Sequence, residues 1–267
     1  VDLRTVIDHD CALNILTPND KEALREIRHT ASHVLAEAVK RLFPEAKVTI
    51  GPAIDDGFYY DFDAQPFSRD DLDKLEAEMK KIIKEGHELK RFTLPRQEAI
   101  QLMKEKNEPY KVELIEDLPE DETISFYQQG DFVDLCAGPH MEKTGQIKAV
   151  KLQSVAGAYW RGDSNRPMLQ RIYGTCFPSQ QELDDYIAKL EEAKKRDHRK
   201  IGKEMDLFAL YEEAPGFPFF MPKGMIIRNE LESFWKSEHR KRGYEEIKTP
   251  LIMSEQLWRT SGHWDHY

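Results

Sequence analysis

Two pairs of side chains able to bind metal or move protons recur at one interval in this chain. "HTASH", residues 29 to 33, sets His29 and His33 four positions apart, and "CAGPH", residues 136 to 140, does the same for Cys136 and His140. Imidazole and thiol ligate borderline metals, and they also attack or deprotonate near neutral pH. An isolated H-x-x-x-H is more often two solvated imidazoles than a site. A second pair in the same domain-sized stretch makes a joint site the sharper alternative, and spacing alone leaves both readings open.

The elements that carry these residues come next. "TPNDKEALREIRHTASHVLAEAVKRLFP" has apolar residues at three and four, namely Leu24, Ile27, Ala31, Val34, Leu35, Ala38 and Leu42. That period predicts a helix, capped by Asn19 or Asp20 and closed before Pro44. At ~100 degrees per residue, His29 and His33 fall roughly 160 degrees from the stripe's centre, so they are expected off the core. "KVTIGPAI" reads as strand-like, and an aromatic "GFYYDFD" follows it. A second helix opens at Ser68 with Asp71 three later, runs through Leu72, Leu75, Met79, Ile82 and Ile83, and stops at Gly86. A third helix is expected over 96–106. "GDFVDLCAGPH" and "GAYWRGDSNRPMLQRIYGTCF" read as strands joined by turns. Residues 19–178 therefore read as an α+β domain.

Size and composition limit what that domain can be. The 267 residues are 40% hydrophobic and 33% charged, with a net charge of −10, enough apolar content for real cores and no run long enough to span a membrane. An acidic balance argues against a general nucleic-acid coat and leaves room for local basic patches. The three cysteines, Cys11, Cys136 and Cys176, make no even framework, which favours a reducing, cytoplasmic setting. "VDLRTVIDHDCALNILTP" is too short for a core, but "ALNIL" resembles a closing strand, so residues 1–18 are expected to be the tail of a truncated domain. Ser179 and Glu182 open a linker helix expected to close at Gly202, with Lys194, Lys195, Arg196, Arg199 and Lys200 near its end. These five either match the helix dipole or contact nucleic acid. Residues 203–267 read as a long amphipathic helix, Gly243, a short strand and Pro250, in a second domain cut short.

Several of these stretches resemble one family, bacterial-type threonyl-tRNA synthetase: "IRHTASHVLAEAVK", "IGPAIDDGFYYDFD", "YKVELI", "DLCAGPH", "AGAYWRGDSNRPMLQRIYGT", "RDHRKIGKEMDLF" and "TSGHWDHY" are similar to its segments in the same order. The resemblance implies a remnant of a ubiquitin-like TGS module over 1–18 and an editing domain of the threonyl/alanyl-tRNA synthetase type over 19–178. Within that editing domain, a second additional domain is implied at about 125–175. A linker helix over 179–202 and the start of a class II antiparallel-sheet domain over 203–267 would follow. It implies a homodimeric parent that ligates threonine to its tRNA with ATP and a catalytic-domain zinc, both expected only in the full-length protein.

Threonine and serine differ by one methyl, worth only about 1–3 kcal/mol in a pocket, so a hydrolytic second sieve is needed against seryl-tRNA. By resemblance, His29 handles the attacking water and Lys111 stabilises charge, while His33, Tyr60, Cys136 and His140 shape the pocket. Asp134 would hold the substrate's amine or hydroxyl. Both esters carry the β-hydroxyl, so Cys136 is expected to exclude the threonine methyl by shape. Replacing His29 or Lys111 by Ala is expected to slow serine release without disturbing the fold. The threonyl resemblance implies water-driven hydrolysis with no cofactor at this site. Related alanine-tRNA editing domains bind zinc through such a pattern, so a zinc-dependent deacylase is the first alternative. A Cys136 nucleophile is the second. A non-catalytic tRNA-binding module, working through Tyr159, Trp160, Arg161, Arg166 and Arg171, is the third.

Overall fold

The computed structural model describes residues 6–17 and 20–265. The expectations that fall on residues 1–5, 18–19 and 266–267, Asn19 as a helix cap among them, lie outside the described residues. The chain divides into two compact units, Val1–Lys189 and Leu190–Tyr267. In chain order the first unit holds α1 (Lys21–Leu42), β1 (Lys47–Val48), β2 (Ala53–Ile54), β3 (Gly57–Asp63), α2 (Arg69–Glu85), β4 (Leu89–Thr93), α3 (Arg96–Glu105), α4 (Pro109–Glu116), β5 (Ser125–Gln129), β6 (Phe132–Leu135), β7 (Ala149–Tyr159) and β8 (Met168–Phe177). The unit boundary falls inside α5 (Gln180–Lys195).

All strand pairs are antiparallel. β1, β3, β8 and β7 lie side by side, with β2 also on β3, and β4, β5 and β6 form a second sheet. The mixed α and antiparallel-β architecture expected for this region is present. α2 behaves as its sequence predicts: Ser68 and Asp71 form a reciprocal capping box, and Gly86 ends the helix in the left-handed region, φ 69°. Leu72, Leu75, Met79 and Ile82 are buried against the same core that receives Phe58, Tyr60 and Phe62 from β3.

α1 departs from its predicted pattern. Instead of one apolar stripe, every residue from Thr30 through Val39 is buried. α2, β3 and β8 pack on one side. On another, Gln129 of β5 donates to His33 O at 3.2 Å and to Glu37 Oε2 at 2.7 Å. The expectation that His29 and His33 lie off the core is corrected for His33, which is 4% exposed. A second layer covers the polar face. Asp20 has extended backbone at the N-cap position, but its carboxylate accepts from Thr17 N and Oγ1 and not from α1.

Three further expectations change. "ALNIL" forms no strand and is exposed among the described residues, because no neighbouring strand completes its backbone hydrogen bonds. The linker helix does not run on to Gly202: α5 stops at Lys195, Asp197 caps a new helix by accepting from Arg199 N, and Gly202 sits inside that helix, α6 (His198–Glu204). In the second unit β9 (Phe208–Leu210) pairs with β10 (Pro218–Phe220), followed by α7 (Pro222–Lys241) and α8 (Glu255–Thr260). The strand expected after Gly243 is absent there too, and Ile247 is 82% exposed.

Gly57 marks the tightest strand contact. A Cβ there would lie 2.1 Å from the backbone oxygen of Gly174 on β8. Gly57→Ala must therefore push β3 from β8 and cost about 1–3 kcal/mol, whereas Ser68→Ala removes one exposed cap for ~1 kcal/mol. Urea unfolding should rank Gly57→Ala as the more damaging. The reverse order would contradict this packing.

Candidate active site at the junction of two sheets

The two histidine-bearing motifs meet in space. α1 presents His29 and His33 to the segment that follows β6, which returns Cys136 and His140 to the helix. One ligand-capable atom from each of the four lies within 4.8 Å of the others. The His29 and His140 rings stack with centroids 4.1 Å apart, and His33 meets His140 edge-on at 4.4 Å. Cys136 Sγ is 3.4 Å from His29 Nε2 and 3.3 Å from His140 Nε2, and Gly138 N–H donates to the sulfur at 3.3 Å.

The loop that closes the cluster depends on Gly138. Its φ of 77° suits glycine, and a Cβ would lie 2.2 Å from the Tyr127 hydroxyl oxygen. Tyr127 also packs edge-on against His140, 4.4 Å between centroids. His29 Nδ1 lies 3.1 Å from Pro139 O, an oxygen that can only accept, so this nitrogen carries the proton and Nε2 bears a lone pair.

Beneath the cluster lies a buried charge. Asp134 is 1% exposed, and its Oδ2 accepts from the Tyr60 hydroxyl at 2.6 Å and lies 3.4 Å from His33 Nδ1. Lys111 Nζ approaches Oδ1 at 2.6 Å, although that oxygen receives no aligned hydrogen bond, so the contact is charge against charge. Asp134 is expected by resemblance to hold the substrate's amine or hydroxyl; in this structure its Oδ2 faces Tyr60 and His33 and its Oδ1 lies against Lys111. Lys111, 2% exposed, likewise reaches Asp134 and not the cavity.

Burial sets the protonation of the cluster. It lowers the pKa of His29 below the usual 6.5 and puts those of His33 and His140 well below it, so the three imidazoles are neutral near pH 7. The Cys136 thiol is pushed up to about 12 and stays protonated, also by burial first. Tyr60 is raised well above 10 by burial and by the adjacent Asp134 charge.

A cavity of about 450 Å³ opens beside His29, with Arg25, Glu26, Pro52, Gly138 and Pro139 in its wall. Of the seven site residues expected from sequence, His29 and Cys136 are the two not fully buried. A ligand in the cavity meets a neutral imidazole backed by a neutral thiol. Sequence reading did not single out Thr30, whose hydroxyl lies 3.2 Å from His140 Nδ1, nor Tyr127 and Gln129. Thr30 could have been found from its position inside the motif, since a buried threonine between two histidines must spend its hydroxyl on something.

The basic run is exposed and largely self-paired: Lys195 and Arg196 with Glu192, Arg199 with Asp197, and Lys200 with Glu204 at 3.9 Å. The surface offered as a pure RNA platform is different from its expectation. Trp160 is 1% exposed and donates to Glu113, and Arg161, Arg166 and Arg171 pair with Glu113 and Asp117, with Glu113, and with Asp61 respectively.

Comparison with known proteins places this geometry. Residues 124–173, which supply β5 through most of β8 and carry Asp134, Cys136 and His140, match the family described as the threonyl and alanyl tRNA synthetase second additional domain. The unit containing the cluster is thus of the type found in aminoacyl-tRNA synthetases. Over its whole length the chain is 67% identical to threonine–tRNA ligase of Acetivibrio thermocellus, and it is 68% identical over 268 aligned positions to threonine–tRNA ligase of Clostridium botulinum (strain Loch Maree / Type A3). The chain belongs to the threonyl-tRNA synthetase family, and it spans 42% of the length of those relatives.

The buried pair can be checked directly. Lys111→Met leaves the Asp134 carboxylate buried without its cation, which should cost about 3–5 kcal/mol. This differs from the expectation that Lys111 can be truncated without touching the fold, and the same unfolding measurement decides between them. Adding Asp134→Asn should recover most of the loss in urea unfolding. A single variant within about 1 kcal/mol of wild type would show that the pair is not structural.

Proposed function

We propose that this chain is the part of a threonyl-tRNA synthetase that hydrolyses mischarged seryl-tRNA(Thr), with water as the attacking group. The observation that carries the proposal is His29. It is neutral, lines the cavity, and is fixed by Pro139 through Nδ1, which leaves Nε2 as the acceptor nitrogen. In this reading His29 takes a proton from water as the oxygen attacks the ester carbonyl. The proton is then delivered to the departing ribose hydroxyl of the tRNA's terminal adenosine. Cys136 lies behind His29 and is not among the cavity-lining residues, so any effect on the pocket's shape passes through His29 and the Gly138–Pro139 loop. A thiol held near 12 is not a thiolate at neutral pH, which argues against the covalent alternative.

His33, Tyr60 and Lys111 act through Asp134, which fixes the layer under His29. Lys111 neutralises that buried carboxylate and does not itself meet the substrate. The basic run from Lys194 to Lys200 is retained as the candidate tRNA contact, since exposed ion pairs are weak enough for phosphates to displace. Ligation of threonine with ATP, a zinc ion at that second site, a homodimer and a cytoplasmic setting are assigned to the whole protein by the same reading. No described helix is long and apolar enough to cross a membrane.

A second reading, a zinc-dependent deacylase of the alanyl type, is favoured by one observation, the convergence of three imidazoles and a thiol within 4.8 Å. His29, His33, Cys136 and His140 would hold the ion, and the pairing of His29 Nδ1 with Pro139 O is the kind of contact that orients a metal ligand. Bound zinc would supply Lewis acidity and an activated water.

The chain should release serine from seryl-tRNA(Thr) far faster than threonine from threonyl-tRNA(Thr). Cys136→Ala should weaken that preference, and His29→Ala should slow release by ~100-fold or more. Full activity after prolonged chelation supports the water-only reading, and activity lost on chelation and restored by zinc selects the second. Equal release of both amino acids by wild type would remove the sieve. The pH profile provides a further check. A base whose pKa is lowered stays neutral as pH drops through 6.5, so the acidic limb should lie below 6.5, not at it.

A further inference from the structure

Thr30 has one hydroxyl proton and three polar neighbours. Its Oγ1 lies 2.9 Å from Glu26 O, 3.0 Å from Met141 N and 3.2 Å from His140 Nδ1. A carbonyl oxygen only accepts, so the hydroxyl proton goes to Glu26. A backbone N–H only donates, so Met141 takes one of the two lone pairs. The other lone pair faces His140 Nδ1, and that contact is a hydrogen bond only if Nδ1 carries the proton. His140 is then the Nδ1–H tautomer, and its Nε2 is an acceptor 3.3 Å from Cys136 Sγ.

The consequence reaches His29. Its Nδ1 donates to Pro139 O, so its Nε2 is also an acceptor, 3.4 Å from the same sulfur. The Cys136 thiol has one proton for two acceptors. Given to His140, it leaves the His29 lone pair free beside the cavity. If His140 took the opposite tautomer, its Nε2–H would donate to the sulfur and the thiol proton would turn to His29, covering the base.

We propose that Thr30 is a positioning residue: by holding His140 as the Nδ1–H tautomer it makes His140 Nε2 an acceptor for the thiol proton, the arrangement that leaves His29 Nε2 open to water. The role for His29 rests on the hydrolysis proposed above, whereas the tautomer assignment does not. Thr30 lies in buried helix, is not itself a cavity-lining residue, and acts on the reaction two hydrogen bonds away.

The test is two-bond nitrogen–proton NMR of the histidine rings in the whole chain at neutral pH, for wild type, Thr30→Ser and Thr30→Val, alongside seryl-tRNA deacylation. Wild type and Thr30→Ser should show His140 protonated at Nδ1. Thr30→Val should move it toward the Nε2–H form and lower kcat ~10-fold or more with little change in KM. Rescue by serine separates the hydroxyl from simple packing. An Nε2–H tautomer for His140 in wild type, or an unchanged tautomer in Thr30→Val, would overturn the proposal. If Thr30→Val does not fold, the wild-type and Thr30→Ser spectra alone decide the tautomer. If no variant releases serine while the tautomers are as stated, the proposed hydrolysis falls and the hydroxyl's control of His140 stands.

Discussion

Burying a helix on two sides forces every polar group on it to find a partner inside the protein. α1 is in that position from Thr30 to Val39, and the site follows from it. Its histidines lie where hydration is lost, so they are held neutral. Neutral imidazole has one donor and one acceptor, and the neighbouring acceptors decide which nitrogen is which. Pro139 O fixes His29, the Asp134 carboxylate lies 3.4 Å from His33 Nδ1, and the Thr30 hydroxyl faces His140. In each case the partner sits at Nδ1, and Nε2 of His29 and His140 turns toward one sulfur. The arrangement suits proton abstraction from water and metal ligation alike, because both need converging lone pairs.

The buried charges hold this arrangement together. Asp134 spans Lys111, Tyr60 and His33, linking α4, β3 and α1 to β6 through one carboxylate. At the other end of the buried stretch Glu37 receives Gln129 and Arg41, and Arg41 also reaches Glu78 and Glu85 on α2. Desolvation raises the pKa of Glu37, so this clamp too is held against the cost of burial. Such pairs add little net stability over apolar side chains, but removing one member strands the other. Their use here is geometric: they lock the register between the two sheets, and that register is what brings residues 136–140 onto α1.

The elements were legible where local chemistry dictates them. The capping box at Ser68, the glycine stop at Gly86 and the strand of "RPMLQRIYGTCF" follow from side-chain hydrogen bonding, φ preference and β-propensity. The grouping of His29, His33, Cys136 and His140 was legible as well, from shared spacing and from the resemblance. Burial of the polar face of α1 was not, because a helix period marks the side that is apolar and says nothing of a second layer packed on the other. For the same reason the protein partners of Asp134 were not legible. Its commitment to Lys111, 23 positions earlier in the chain, and to Tyr60, 74 earlier, depends on tertiary contacts. The break at Asp197 was missed for a different reason, since an aspartate in a charged run is compatible with both a helix interior and a cap.

The dry, neutral cluster is the feature on which the hydrolytic reading and the zinc reading both depend, and it can be measured without a substrate. Following the ring carbon and nitrogen shifts of His29, His33 and His140 in the chelated protein as pH is lowered reads each protonation state separately. The account predicts that all three remain neutral as pH passes down through 6.5, with His33 and His140 resisting protonation furthest because they are the more deeply buried. Titration of His33 or His140 at or above 6.5 would mean that water reaches the cluster, and would contradict the enclosed helix from which the rest follows.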